Sequence, residues 1–271
     1  MANVVKVAPD DLTRGFERLG LRSGQSVMLH ASLESMGEVD GGAAMVIHRL
    51  LHVIGKSGTL LMPTFTSVTR HSFFHIDFTR EGCWCEGKED RHLPFLPELQ
   101  PDKEIGAIAF RLCSWPSSQR SRHPSHSYVA VGSHRDELVR EVVLDDPLFP
   151  IRRLLKYEPR VVTLGVGFSS VTSIHLAEEK QLPSKLVKER ALTFSSKGPA
   201  WVEVRAFGCS NGFDKLRSHI GSEVETERTK IGMAEVESYS LRGLVDSARS
   251  LLEEDPNVLS CDRPSCLSCH R

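Results

Sequence analysis

A histidine with a nearby glutamate lies where a buried strand is followed by a helix. Residues 164–179 read LGVGFSSVTSIHLAEE, so an apolar strand ends in Gly-Val-Gly and a Ser/Thr turn opens the helix that carries His175. The positive end of a helix disfavours an imidazolium ion, which keeps the ring neutral and able to accept a proton. Glu178, three residues on, shares the helix face and can orient the ring. The pattern predicts a general base, and a structural histidine in a capped helix is the alternative interpretation.

Two other segments carry groups that suit anionic ligands. Residues 30–42 read HASLESMGEVDGG, a turn rich in Ser and Gly that opens a helix, and backbone amides at such a position bind anionic oxygens. Residues 120–127 read RSRHPSHS, with two Arg and two His before a strand, and a guanidinium can bind phosphate through two parallel hydrogen bonds. Taken alone, the first segment equally fits a plain loop capped by Asp40, and the second fits a solvated basic loop.

The cysteines are candidate metal ligands. There are seven, an odd number with uneven spacing, which indicates free thiols or metal ligands and not a disulfide framework. Cys266 and Cys269 form a Cys-x-x-Cys, Cys261 lies five residues earlier, and Cys209 precedes a predicted helix. We predict that these four thiols hold a structural zinc ion that fixes the tail, residues 255–271, to the rest of the chain. Four free thiols are the alternative.

The composition bounds the class of protein. The chain has 271 residues, of which 40% are hydrophobic and 25% charged, as is typical of a globular protein. The formal net charge is −1, with no basic excess to indicate a nucleic-acid partner. No apolar run approaches the roughly 18 residues that span a bilayer, and residues 1–6 lack the features of a signal peptide. We therefore expect a cytoplasmic protein without a membrane partner, either a monomer or a homodimer.

Alternating strands and helices position the candidate residues. Apolar runs predict strands at 26–30, 59–62, 127–131, 160–166, 191–194 and 200–207. Amphipathic patterns predict helices at 9–20, 42–54, 105–115, 135–142, 170–180, 213–220 and 240–253. The alternation favours one α/β domain spanning residues 1–271, a three-layer α/β/α sandwich with a largely parallel central sheet. In such sheets ligands bind beyond the carboxyl ends of the strands, and the insertion at 73–94 has the length of a functional loop.

Five ordered segments resemble the aminoglycoside 3-N-acetyltransferase family, the antibiotic acetyltransferases that are not of the GNAT type. They read VMLHASLESMGEVDGGA, GTLLMPTFTS, GAIAFRL, RSRHPSHSYVAVG and LGVGFSSVTSIHLAEE. The resemblance is specific from about residue 8 to 180 and looser beyond. It implies a three-layer α/β sandwich that binds acetyl-CoA and transfers the acetyl group to an amine, in aminoglycosides the 3-amino group, with antibiotic resistance as the biological result.

The resemblance also assigns roles to residues of this chain. His175 corresponds to the family's proposed general base, which takes the proton of an amine that attacks the thioester directly, and Glu178 is its partner. The residues implied on the CoA side are His30, Ala31, Ser32, Leu33, Val39, Asp40, Gly41, Arg120, Ser121, Ser127 and Thr172.

The residues expected to bind the amine that accepts the acetyl group differ from those of the family. Aminoglycosides are polycations and need acidic sites, yet residues 64–71 contain no acid, and Arg205 lies on the strand before Cys209. The insertion carries five acids that can compensate, namely Asp77, Glu81, Glu86, Glu89 and Asp90. A different amine is therefore an open alternative. A hydrolase using His175 and Glu178 is another, although the chain has no Gly-x-Ser-x-Gly elbow. A relative that binds CoA without catalysis is the third.

Overall fold

Strands and helices alternate through the chain. The computed structural model describes residues 5–71, 92–182, 187–266 and 268–270. The strands of this part are β1 (Lys6–Val7), β2 (Ser26–Ala31), β3 (Glu38–Val39), β4 (Thr59–Pro63), β5 (Arg70–His71), β6 (Gln119–Arg120), β7 (Tyr128–Gly132), β8 (Arg160–Leu164), β9 (Val187–Ser195), β10 (Gly198–Ala206), β11 (Thr226–Ile231) and β12 (Ala234–Ser240). The α-helices are α1 (Pro9–Arg18), α2 (Gly42–Ile54), α3 (Ala107–Cys113), α4 (Arg135–Val139), α5 (Phe149–Leu154), α6 (His175–Gln181) and α7 (Leu241–Glu254).

The central sheet is mixed. Within the described residues it has seven strands in the order β11-β12-β8-β2-β4-β7-β6. Strands β8, β2 and β4 run parallel at its centre, whereas the other neighbouring pairs are antiparallel. The α/β fold is confirmed, but the predicted largely parallel arrangement holds only for these three central strands. Connection length explains the difference at one edge, because only Gly232 and Met233 join β11 to β12 and so short a turn links antiparallel strands.

Several elements differ from the predicted ones. The hairpin of β11 and β12 was not predicted, because β11 is an edge strand whose one buried residue is Ile231 and which shows no apolar run. The strands predicted at 191–194 and 200–207 are longer and pair with each other and with β5 in a second, smaller sheet. The segment predicted as a helix at 213–220 is a 3₁₀ helix, Phe213–His219.

Helices cover both faces of the central sheet, so the three-layer sandwich is confirmed. Successive strand residues point to opposite faces. Val27 and Leu29 of β2 pack in one buried cluster with residues of α1, α2 and α3. Met28, between them, packs in another with residues of α5, α6 and α7. Burial of β2 on both faces explains why it reads as a continuous apolar run.

Two further expectations concern membrane spans and the acids of the insertion. In the residues it describes, no helix is both long and apolar enough to cross a membrane. The acids of the insertion, from Asp77 to Asp90, lie outside the described residues.

Candidate active site

A cavity of about 220 Å³ lies at the carboxyl ends of β2, β4 and β8, where the sequence places the ligand site. The predicted site residues in its wall are His30, Ala31, Thr172 and His175. The wall also contains residues that the sequence analysis did not select, among them Phe65, Glu104, Ser169, Phe207 and Ser210. The parallel strands at the centre of the sheet therefore bring two of the three predicted segments to one place.

His175 and Glu178 form a buried pair on this wall. The 3₁₀ turn Thr172–Ile174 leads directly into α6, whose first residue is His175. Nδ1 of His175 lies 2.6 Å from a carboxylate oxygen of Glu178, and both residues are 2% exposed. An ionised carboxylate only accepts hydrogen bonds, so Nδ1 carries the proton and Nε2 has the free lone pair. The geometry is that of a histidine oriented as a proton acceptor.

Two phenylalanines hold the imidazole ring in place. Phe207, which follows β10, stacks on the ring with centroids 4.3 Å apart, and Phe213 meets it edge to face at 4.7 Å. Phe207 also contacts Phe65 and His126, with centroid separations of 5.4 Å and 4.5 Å. Sequence reasoning missed Phe207, because stacking between residues 32 positions apart leaves no periodic signal. The one cue was its place at the end of a predicted strand, two residues before Cys209.

His30 lies in the cavity wall as a neutral side chain. It is 4% exposed, and burial lowers its pKa from 6.5 to about 3. Within the described residues its Nε2 has no hydrogen-bond partner. A buried polar atom without a partner costs free energy unless a ligand supplies one. His30 is thus a polar group that a bound substrate can satisfy.

The loop after β2 is fixed by its backbone. The Ser32 amide donates to the Leu164 carbonyl at 2.9 Å, and the Asp40 amide donates to the Val7 carbonyl at 3.0 Å. Gly41 adopts the left-handed conformation, with φ of 78°, at the start of α2. Ala31, Ser32, Leu33 and Val39 are half-buried, and Asp40 and Gly41 are exposed. Of the predicted CoA loop, His30 and Ala31 lie in the cavity wall, whereas Ser32, Leu33, Val39, Asp40 and Gly41 do not line the cavity.

Arg120 is placed differently from the prediction. All three nitrogens of its guanidinium donate to internal acceptors, which belong to Thr64, Thr66, Pro97, Leu99 and Ser127. With the residue only 7% exposed, this network leaves no donor for a phosphate. The structure therefore gives Arg120 a role inside the fold, where its guanidinium connects two loops and a strand. A contact of Arg120 with CoA stays a prediction.

Ser121 and Ser127 belong to the same structural region as Arg120. The Ser121 hydroxyl accepts from the Tyr128 amide at 2.9 Å, and the Ser127 hydroxyl donates to the Thr64 carbonyl at 2.7 Å. Both serines are buried, and neither lines the cavity. Their hydroxyls act within the fold, so the structure does not bring them to the predicted CoA site.

The histidines buried near the site predict a pH dependence of stability. Nδ1 of His123 accepts a hydrogen bond from the His126 amide at 3.0 Å, and its Nε2 lies 3.3 Å from the Leu144 carbonyl. Because Nδ1 accepts, it carries no proton, and the ring is neutral. Burial lowers the pKa of His123 from 6.5 to about 4, and that of His30 to about 3. Below pH 6.5 the unfolded chain binds protons at these histidines and the folded chain does not. The free energy of unfolding therefore falls as the pH is lowered from 6.5 to about 4.

The measurement is urea unfolding as a function of pH. The slope of the unfolding free energy against pH gives the number of protons that the chain takes up when it unfolds. His123→Asn should take up about one proton fewer than wild type. The exposed His52→Asn is the control and should leave the slope unchanged. An unchanged slope in His123→Asn would show that the ring is not held neutral.

The four cysteines predicted as zinc ligands come together. Ligand atoms of Cys209, Cys261, Cys266 and Cys269 all lie within 4.8 Å of one another. They come from two separate parts of the chain: Cys209 lies in the loop after β10, and the other three lie in the tail, residues 255–271. The spacing in sequence therefore predicted a real cluster in space.

Comparisons with known proteins give a consistent result. The family model described as aminoglycoside 3-N-acetyltransferase matches residues 28–253. The chain is 29% identical over 245 residues to the SPbeta prophage-derived aminoglycoside N(3')-acetyltransferase-like protein YokD of Bacillus subtilis (strain 168), and the match covers 88% of this chain and 89% of the relative. The crystal structure of YokD superposes with a TM-score of 0.82 at 26% identity and covers 93% of this chain and 95% of its own.

Two more distant structures share the fold and contain ligands. The aminoglycoside acetyltransferase AAC(3)-IVa in complex with a gentamicin superposes with a TM-score of 0.82 at 20% identity, over 99% of this chain and 97% of its own. AAC-IIIb, described as binary with CoASH, superposes with a TM-score of 0.78 at 20% identity, over 92% of this chain and 97% of its own.

Proposed function

The chain belongs to the aminoglycoside 3-N-acetyltransferase family, whose model matches residues 28–253, and we propose that it transfers the acetyl group of acetyl-CoA to an amine of an aminoglycoside. It is an acyltransferase by family. The observation that carries the proposal for this chain is the His175–Glu178 pair in the cavity wall, at the carboxyl ends of parallel strands. The solved relatives with a gentamicin and with CoASH support the two substrate classes.

In the proposed mechanism His175 acts as the general base. The amine nitrogen of the acceptor attacks the thioester carbonyl carbon, and Nε2 of His175 takes the proton as the C–N bond forms. The C–S bond then breaks, and the CoA thiolate leaves and takes up the proton from the imidazolium of His175, which returns the ring to its neutral form. Glu178, held against Nδ1 at 2.6 Å, stabilises the imidazolium that forms and keeps Nε2 directed away from itself.

His30 is proposed to contact the reacting group. Its neutral ring lies in the same cavity wall as His175, and burial has left Nε2 without a partner in the described residues. A neutral imidazole can donate a hydrogen bond to a carbonyl oxygen that gains negative charge. Stabilisation of the thioester oxygen in the tetrahedral intermediate is the role that fits this position.

The described cavity has few groups for a polycation. Glu104 is the one acidic residue in its wall among the residues that the structure describes. Arg205 is exposed and does not line the cavity, so it does not oppose a cation there. An amine with fewer positive charges than an aminoglycoside is the second candidate acceptor, and the scarcity of carboxylates in the described wall is the observation that favours it.

Thiol release from acetyl-CoA tests the proposal. Purified protein is incubated with acetyl-CoA and a panel of amines that includes gentamicin and sisomicin as well as simple monoamines. Release that requires an aminoglycoside supports the proposal, and release with monoamines alone supports the second candidate. Release without any amine would indicate a hydrolase, and CoA binding without release would indicate a binding protein.

Glu104 provides a prediction about the acceptor. Glu104→Gln should raise KM for an aminoglycoside about threefold, because an exposed carboxylate beside a cation contributes a small attraction that water and salt screen. KM for acetyl-CoA should not change. The control is Glu254→Gln at the end of α7, outside the cavity, which should alter neither constant. Equal KM values for wild type and Glu104→Gln would place the cation elsewhere.

A further inference from the structure

The cysteine cluster lies at the junction between the tail and the segment that follows β10. Cys209 belongs to that segment, Cys261 comes shortly after α7, and a turn carries Cys266 and Cys269. In that turn the Cys269 amide donates to the Cys266 carbonyl at 3.1 Å. The Cys-x-x-Cys turn thus presents two sulfurs to the other two cysteines, which is the arrangement of a closed site with four ligands.

Backbone amides point at the sulfurs. The Asn211 amide donates to Sγ of Cys209 at 3.4 Å, and the Cys261 amide donates to Sγ of Cys269 at the same distance. Hydrogen bonds of this kind stabilise a thiolate and orient it toward a metal. The four sulfurs all lie within 4.8 Å of one another, which is close to what a metal requires. A tetrahedral zinc ion with Zn–S bonds of about 2.3 Å separates its sulfurs by about 3.8 Å.

The tail has little else to hold it. After α7, the buried side chains among the described residues are Leu259, Ser260 and Cys261, and residues 262–265 are exposed. From 262 onward the described tail has no buried apolar side chain, so hydrophobic burial does not explain its fold. The contacts it makes are polar, such as that of Lys215 Nζ with Asp262 at 2.6 Å. A metal cross-link supplies the missing stabilisation, as in small domains with too little core.

We propose that Cys209, Cys261, Cys266 and Cys269 bind one Zn²⁺ in a closed, structural site. Four thiolates in tetrahedral positions select zinc or iron among the common metals, and zinc needs no redox partner. Binding releases the thiol protons to solvent, so metal uptake is accompanied by proton release. The site leaves no position for water, and it therefore takes no part in the chemistry of acetyl transfer.

The metal site also bears on the catalytic histidine, and this step rests on the proposed function. Cys209 is two residues from Phe207, the ring that stacks on His175. Between the cluster and the 3₁₀ helix, the Ser210 hydroxyl donates to the Ser169 carbonyl at 2.6 Å, and Phe213 meets the imidazole edge to face. Zinc at Cys209 therefore anchors the segment that packs against the general base, and makes Cys209 a positioning residue.

The first test is the metal content of the protein purified without added metal. We expect about one zinc per chain, and less than a tenth of that in Cys266→Ser and Cys269→Ser. Cys113→Ser, which removes a thiol outside the cluster, is the matched control and should keep its zinc. Cobalt-loaded wild type should show the visible absorption of tetrahedral thiolate coordination. Protein without zinc that takes up no cobalt, iron in place of zinc, or full zinc content in the tail variants would each overturn the proposal.

The second test separates the metal from the catalysis. Metal content and cobalt spectra require no turnover, so they report on the site even if acetyl transfer is absent. If the enzyme is active, removing zinc with a chelator should lower kcat about tenfold, and adding zinc back should restore it. Cys113→Ser should respond to the chelator as wild type does. A kcat that is unchanged after complete zinc removal would refute the link to His175.

Discussion

Replacing His175 with alanine is expected to lower kcat for acetyl transfer by about 10²- to 10⁴-fold, the usual contribution of a general base. The amine must lose a proton as it attacks, and in the proposed mechanism Nε2 of His175 takes that proton while Glu178 holds the ring at Nδ1. KM for acetyl-CoA should change little, because the imidazole acts on the acceptor proton. The measurement is initial-rate thiol release across a range of both substrates.

A loss of packing must be separated from a loss of chemistry. His175 contacts Phe207 and Phe213, so alanine leaves a space beside two aromatic rings. His175→Gln fills more of that space but has no basic nitrogen, and it should be as inactive as the alanine variant. Glu178→Gln should lose less activity, because the ring keeps Nε2 while losing the charge that supports it. Near wild-type kcat in a folded His175→Gln would exclude the general-base role.

Replacing Arg120 with methionine is expected to lower the free energy of unfolding by about 3 to 5 kcal/mol, since it removes a buried guanidinium and all the hydrogen bonds that it donates. The carbonyls of Pro97 and Leu99 lose the donor that Arg120 supplies, whereas the Thr64 carbonyl still accepts from the Ser127 hydroxyl. Burial already lowers the pKa of Arg120, although nearby Cys113, Asp102 and Glu98 oppose the shift. Urea unfolding followed by circular dichroism gives the loss directly.

Arg122→Met is the matched control for this change. Arg122 lies two residues away on the same segment but is exposed, so its loss should alter stability by less than about 0.5 kcal/mol. The folded fraction of Arg120→Met should retain the wild-type KM for acetyl-CoA, because the guanidinium is committed to the protein interior. A stable Arg120→Met with a greatly raised KM would support the CoA-phosphate interpretation.

Arg120 shows where sequence reasoning fails. Two arginines and two histidines in eight residues resemble a phosphate site, and their pattern says nothing about burial. Apart from Ser127, the acceptors of Arg120 lie more than 20 residues away along the chain, on loops whose approach depends on the whole fold. The helix pair of His175 and Glu178 could be predicted because an i, i+3 spacing fixes proximity locally.

The central sheet, too, could be predicted from the sequence only in part. The apolar runs of β2, β4 and β8 predicted buried central strands, and these are the ones that run parallel. Strand direction elsewhere depends on which neighbours pair, and β11 has a polar pattern that gave no signal. The cysteine cluster was predicted because metal ligands have strong spacing rules, even though Cys209 lies 52 residues before Cys261.

The proposed reaction is best decided by the structure of the product formed from acetyl-CoA and gentamicin or sisomicin. Purified enzyme is incubated with both substrates, and the product is identified by mass spectrometry and by NMR. We expect one acetyl group on the 3-amino nitrogen and one CoA released per product. An acetyl group on a different nitrogen would contradict the assigned position, and an unmodified aminoglycoside beside an acetylated simpler amine would contradict the assigned substrate.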